Sequence, residues 1–230
     1  MKTRNIVLIG AAAVALAAAG ALWWVYASRD ALVKQAIERY GPQITGVTLT
    51  VKSVDFEPAH GKGAITGLQL GNPPGYSSPR AFTLGEMHLE IDFSTLASDV
   101  VHLKVVSLNA PVITYERGPG GDNLSAIQKH IEAKTGGSGK TDSSSEKKFV
   151  IDNLYVRNAK VQYGEGVSLP MPDLHLRDVG KKSNGASSGE IVKEVWTAMT
   201  QSATSLASRA AEGVKEGAKS AVEGVRDLFK

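Results

Sequence analysis

The sequence predicts an α+β protein: an N-terminal transmembrane helix, an antiparallel, groove-like β-sheet and a long C-terminal amphipathic helix. Three observations lead there. Residues Ile6 to Ala27 carry no charge over 22 positions. Between Gly46 and Val179 apolar residues recur mostly with a period of two, the spacing of half-buried strands. From Glu190 to Lys230 they recur at three and four, the spacing of one helix face.

Composition narrows the classes of function. Of 230 residues, 42% are hydrophobic, 21% charged and only 6% aromatic. That is enough to fold, with few large side chains to fill a thick core. A net charge of +3 is too weak for a dedicated nucleic-acid binder. Cysteine is absent, which excludes disulfide scaffolds, thiolate metal sites and cysteine nucleophiles. Its absence also fits an oxidising compartment.

The elements follow in order. Residues 1–27 form the expected anchor: 22 uncharged residues make a helix of about 33 Å, matching a hydrocarbon core of roughly 30 Å. Lys2 and Arg4 precede the run while Arg29 and Asp30 cancel behind it. The positive-inside rule then places the N-terminus in the cytoplasm and everything after Ser28 outside it. Trp23, Trp24 and Tyr26 sit where amphipathic rings favour the membrane interface. Ala17-Ala18-Ala19 or Ala19-Gly20-Ala21 would also serve as a signal-peptide cleavage site. The apolar stretch continuing into the double Trp favours a retained anchor.

Residues 28–44 read as a juxtamembrane helix with Leu32, Ala36 and Tyr40 on one stripe, ended by Gly41-Pro42. Residues 45–180 read as the sheet. Val47, Leu49 and Val51 alternate with polar partners, and Val54 and Phe56 follow a phase step. Ile65, Leu68 and Leu70 form a second run, closed by the turn 71–75. Phe82 and Leu84, then Met87, Leu89, Ile91 and Phe93, form the clearest one. Runs at 101–108 and 112–116 come next, joined by links short enough to favour antiparallel neighbours. Asp122-Asn123 caps a short helix with Leu124, Ile127 and Ile131 on one face. Residues 135–148, rich in Gly, Ser and Lys, are expected to be a flexible loop. Strands return at 149–156, 159–163 and 167–179, and Pro170 and Pro172 mark the last as an edge strand. Residues 181–189 read as a linker before the helix 190–230. That helix carries six basic and six acidic residues, without the basic excess of one that grips anionic lipid. Docking on this protein's own sheet or on a partner is therefore favoured over membrane adhesion.

The search for chemistry yields no catalytic residue, metal ligand or cofactor. His60, His88, His102, His130 and His175 show no helical zinc-site spacing. His88, Glu90 and Asp92 share a strand face, which reads as the solvent side of a half-buried strand. Gly136 to Thr141 imitates a phosphate-binding loop, but Lys134 stands where its first glycine must be. No nucleophile elbow is present, and no enzyme activity is expected.

One set of motifs is more specific. Gly71-Asn72-Pro73-Pro74-Gly75-Tyr76 follows Gly67-Leu68-Gln69-Leu70 and precedes Ala81-Phe82-Thr83-Leu84-Gly85 and Ile91-Asp92-Phe93. Ser94-Thr95-Leu96, Asn109-Ala110-Pro111, Val112-Ile113-Thr114-Tyr115-Glu116 and Asp122-Asn123-Leu124 then complete the order. This stretch, about 45–179, resembles the small membrane-anchored proteins of the AsmA family of bacterial envelope proteins, related to bridge-like lipid transfer proteins. The resemblance implies an antiparallel sheet curled into a groove with an apolar inner face, an inner-membrane anchor with a periplasmic bulk, and no catalytic residues. Membrane phospholipid would be the partner. The chain is too short for one copy to bridge an envelope.

The residues support such a groove on their own terms, because strands with one apolar face need a cover. Candidate lipid-facing positions are Leu49, Val51, Leu68, Leu70, Phe82, Leu84, Leu89, Ile91 and Phe93. Acyl chains, the C-terminal helix or another copy would each cover them. Two functions follow: envelope biogenesis or lipid homeostasis through acyl-chain binding, or a non-enzymatic scaffold that assembles or recruits a protein through 190–230.

Overall fold

The computed structural model describes residues 30–57, 60–135, 147–163 and 167–228, with side chains as far as Arg209 and at Glu212. The expected anchor, its interface residues Trp23, Trp24 and Tyr26, and the loop residues 136–146 lie outside the described residues. Among the described residues no helix is long and apolar enough to cross a membrane.

The first helix, α1, spans 30–45. It ends within one residue of the expected 44, stopped not by Gly41-Pro42 but by Gly46, whose φ of 77° is the left-handed cap conformation glycine adopts freely. The Gly46 N–H donates to the Pro42 carbonyl at 2.9 Å. Pro42 is tolerated because only the preceding turn loses a bond. Gly41 serves a different purpose: a Cβ there would lie 2.8 Å from Leu49 Cδ1.

The strands are β1 (Leu49–Thr50), β2 (Ser53–Glu57), β3 (Lys62–Gly71), β4 (Arg80–Ile91), β5 (Val100–Asn109), β6 (Val112–Tyr115), the small ribbon β7 (Arg117–Gly118) and β8 (Gly121–Asp122), then β9 (Lys148–Arg157), β10 (Lys160–Tyr163), β11 (Val167–Pro170) and β12 (Leu174–Val179). Helix α2 (Asn123–Thr135) precedes β9, and α3 (Ser188–Leu228) ends the chain. All strands but β7 and β8 join one curled, half-barrel sheet. The sheet is mixed, not antiparallel throughout. The pairs β5–β9 and β6–β10 are parallel, while consecutive strands such as β3–β4 and β4–β5 are antiparallel. Short links govern only neighbours in sequence. Between β5 and β9 lie β6, α2 and the residues after it, ample for a crossover.

The twelve pieces are fewer ribbons than they look. β5 and β6 lie end to end along one edge of β4, and β9 and β10 follow them in unchanged register: Asn109 faces Arg157, and Val112 faces Lys160. β12 and β11 flank that pair likewise, Leu174 facing Val156 and Pro170 facing Lys160. On the far side β1 and β2 share a register along β3. Every break falls at one level of the sheet: Val51-Lys52, then Gly67 and Gly85, then Ala110, Asn158 and the segment 171–173. Gly67, Ala110 and Asn158 have φ of 64°, 51° and 55°. An irregular residue in each ribbon at the same level bends them together, and the curl of the sheet follows.

The edge position expected for 167–179 is observed, since β11 and β12 each pair on one side only. Asp122 caps α2 as expected, its carboxylate accepting from the Ser125 N–H at 2.8 Å and the Ser125 hydroxyl at 2.7 Å. Residues 181–187 are tied to the sheet: Ala186 and Phe149 exchange backbone hydrogen bonds at 2.8 and 2.9 Å. Ser187 and Glu190 then form a reciprocal capping box at the start of α3. Helix α3 lies against α2 and over the concave face of the sheet, burying Trp196, Met199, Ala203 and Ala207 in the same core as Phe82, Ile113, Leu154 and Val161.

Candidate functional site

Between the concave sheet and the first turns of α3 lies a cavity of about 400 Å³, partly open to solvent, whose walls expose almost no polar surface. Sequence alternation builds its floor: Leu68 and Leu70 of β3; Phe82, Leu84, Met87 and Leu89 of β4; Leu103, Val106 and Leu108 of β5; Phe149, Ile151 and Leu154 of β9. Its roof is the face of α3 formed by Ile191, Val192, Val195, Trp196 and Met199. Gly41, Ile44 and Thr45 of α1 and Leu49 of β1 complete the lining.

The bend in the sheet explains the lining of β4. Phe82 and Leu84 precede Gly85 and Met87 and Leu89 follow it, so a strict period of two would send the pairs to opposite faces. The phase step at the bend brings both pairs to the cavity. Trp196 is buried and stands edge-on to Phe82 with ring centroids 6.5 Å apart. Its indole N–H has no hydrogen-bond partner among the described residues. The Thr45 hydroxyl donates to the Gly41 carbonyl at 2.9 Å and presents no free donor to the cavity.

Six of the nine lipid-facing positions read from sequence line this space: Leu49, Leu68, Leu70, Phe82, Leu84 and Leu89. Val51, Ile91 and Phe93 do not. Val51 is buried near the edge of the sheet beneath α1, its N–H donating to Glu38 at 2.9 Å. At Ile91 the β4–β5 register slips, and a slip of this kind re-aims the side chain. Phe93 has left the strand for a short 3-10 turn and packs on Phe56, centroids 5.7 Å apart. Sequence reasoning did not single out the β5 and β9 walls or the α3 roof as lining. Ile191, Val195 and Met199 were visible as a helix stripe, but nothing local says which strands a stripe will face.

Among the described residues no three His, Asp or Glu side chains gather to hold a metal. His88 pairs with Glu86 at 3.0 Å on the solvent side, both half-exposed. Asp92 has left the strand to cap the turn, where the Ser94 hydroxyl and N–H hold its carboxyl below the usual carboxylate range. The phosphate-loop imitation lies outside the described residues, Thr135 and Lys134 apart.

The motif residues of the turn 71–76 and of 115–124 form one network away from the cavity. Asn123 is fully buried. Its side chain donates to Asn72 Oδ1 and to the Thr114 carbonyl, both at 2.8 Å, and accepts from the Glu116 N–H at 2.9 Å. The Glu116 carboxylate accepts from the Ser77 and Ser78 N–H groups. Partial burial pushes its pKa up, but those two N–H donors outweigh it and hold the carboxyl below its ordinary value. This network fixes the 71–79 loop to β6 and α2. No protein-family model and no curated protein sequence matches the chain.

Proposed function

We propose that this chain is a bacterial inner-membrane-anchored, periplasmic protein of the AsmA type that holds an acyl chain of a membrane phospholipid between its curled sheet and α3, in the service of envelope biogenesis or lipid homeostasis. The observation that carries the reading is the cavity of about 400 Å³ with almost no polar wall. Such walls gain dispersion contacts from an apolar occupant and offer water no partners. The volume is that of on the order of a dozen water-sized groups, the scale of a single acyl chain and not of a whole lipid. Recognition would rest on apolar area, leaving the headgroup outside. The uncharged run Ile6 to Ala27 and the motif order of 67–124 support the membrane and family parts of the reading.

The test is lipid extraction and native mass spectrometry of the gently purified full chain. Phospholipid at about one per chain is expected, with Leu89→Trp, which fills the cavity, lowering that occupancy while the melting temperature holds. Leu89 is half-buried and cavity-lining, and filling real space is neutral or stabilising where overpacking is not. Absence of lipid from the wild type, or unchanged occupancy in a folded Leu89→Trp protein, overturns the proposal.

A further inference from the structure

Helix α1 carries exposed apolar side chains on the side turned away from the sheet. The side turned to the sheet is mixed: Ile44 packs on the core and Thr45 is buried, while Lys34 donates to the Lys52 carbonyl at 3.2 Å and Glu38 accepts from the Val51 N–H at 2.9 Å. The side turned away carries Leu32, Val33 and Tyr40, which are 43%, 38% and 55% exposed, with Ala36 exposed between them. At 100° per residue these four fall within one arc of the helix surface. The Arg39 guanidinium stands 5.9 Å from the Tyr40 ring centroid at the border of that arc.

Two observations say what this face meets. The uncharged run of 22 residues ends at Ala27, five residues ahead of Leu32, so whatever holds that run stands no more than about 18 Å from Leu32. The composition of the arc, aliphatic residues with a Tyr and the exposed Gln43 among them and an Arg at its edge, is that of a helix lying in a membrane interface. We infer that the outward face of α1 lies against the bilayer in which the N-terminal run is anchored. The inference rests on the membrane anchoring proposed above and not on an acyl chain in the cavity. It has a consequence for that cavity: Gly41, Ile44 and Thr45, at the far end of the same helix, are part of its lining. Helix α1, about 24 Å long, would then lie along the bilayer with its last turn lining the cavity.

The natural absence of cysteine makes the test direct. The full chain, with single cysteines at Leu32, Ala36 or Tyr40 and at the exposed control positions Gln35 and Lys104, is labelled with an environment-sensitive nitrobenzoxadiazole dye. It is then reconstituted into phosphatidylethanolamine–phosphatidylglycerol vesicles. Labels at 32, 36 and 40 are expected to shift their emission to the blue, to be quenched by doxyl groups placed high on lipid chains, and to resist aqueous iodide. Those at 35 and 104 are expected to be quenched by iodide. Iodide access at 32, 36 and 40 in protein that floats with the vesicles overturns the inference alone. Shielding from both quenchers also overturns it, because protein then covers the face. Failure to float overturns the anchoring together with it, and lipid extraction reports on the cavity independently. Retention of the native melting temperature by each labelled variant shows that the readings come from folded protein.

Discussion

Asn123 concentrates more hydrogen-bonding consequence than any other buried polar residue described. Its removal orphans the Glu116 N–H, the Thr114 carbonyl and the Asn72 carbonyl oxygen together. Each unsatisfied buried group costs about 1–3 kcal/mol. With partial relaxation, Asn123→Ala is expected to lose about 3 kcal/mol in urea unfolding. Glu116→Gln is milder, because its donors sit nearer solvent; about 1 kcal/mol at pH 7 is expected after discounting for screening. The pH dependence has a definite sign. The folded pKa of Glu116 lies below its ordinary value, so its contribution is complete above the unfolded pKa of about 4.3. It fades as pH falls through the lower folded value. Unfolding of wild type and Glu116→Gln should therefore differ at pH 7 and converge as the pH falls below the ordinary carboxylate range; a gap that stays constant with pH would contradict this account. The turn motif at 71–76 was legible as a motif, but its purpose was not. Only the fold shows that Asn72 and Asn123, distant in sequence, bond to each other.

Among the elements, the break shared by the ribbons is the device that turns alternating strands into a half-barrel. Asn158 illustrates it: φ is 55°, its side chain donates to Asn109 Oδ1 at 2.9 Å, and its N–H donates to Asp173 at 3.2 Å. A β-branched residue there must hold a left-handed conformation that costs about 1–2 kcal/mol. Asn158→Val should therefore destabilise by at least that much, whereas Asn158→Gly should lose only the side-chain bond, about 1 kcal/mol. Equal losses in thermal melts of the two variants would show that the backbone conformation is not what Asn158 supplies. The strands themselves were readable because period two survives between breaks. The phase steps at Val51-Lys52 and Gly85 were visible too, as 47-49-51 passing to 54-56 and 82-84 to 87-89. What local pattern does not encode is that every step falls at one level. It also does not encode that β9 runs parallel to β5, a long-range choice made by the crossover through α2. The first helix ends at 45, one residue past the expected 44, but Gly41-Pro42 is not what stops it: Gly41 is there for the close approach of Leu49.

At the scale of the whole molecule, α3 is part of the core and not an appendage. The sequence shows a stripe needing a surface, its balanced charges favour sheet or partner over bilayer, and it leaves open which of those two. Ala203 and Ala207 are buried to 0% and 1%, and small residues there let the helix axis approach closely where large ones would hold it off. Every buried side chain described on α3 lies at or before Ala207. Two truncations therefore separate the competing readings. Removing residues 188–230 strips the cover from the concave face and exposes Trp196's partners, Phe82 among them. Each large side chain returned to water costs about 1.5–3 kcal/mol, and a handful matches the 5–15 kcal/mol that holds a domain folded. That chain is expected to bind a hydrophobic dye or aggregate. Removing only 210–230 leaves all of these contacts in place, so a cooperative melt and undiminished lipid occupancy are expected. If the shorter truncation instead abolishes self-association or partner capture while lipid stays, the far half of α3 is an assembly element and the scaffold reading gains its first direct support. If lipid is lost while the protein still melts cooperatively, the far half of α3 takes part in closing the cavity.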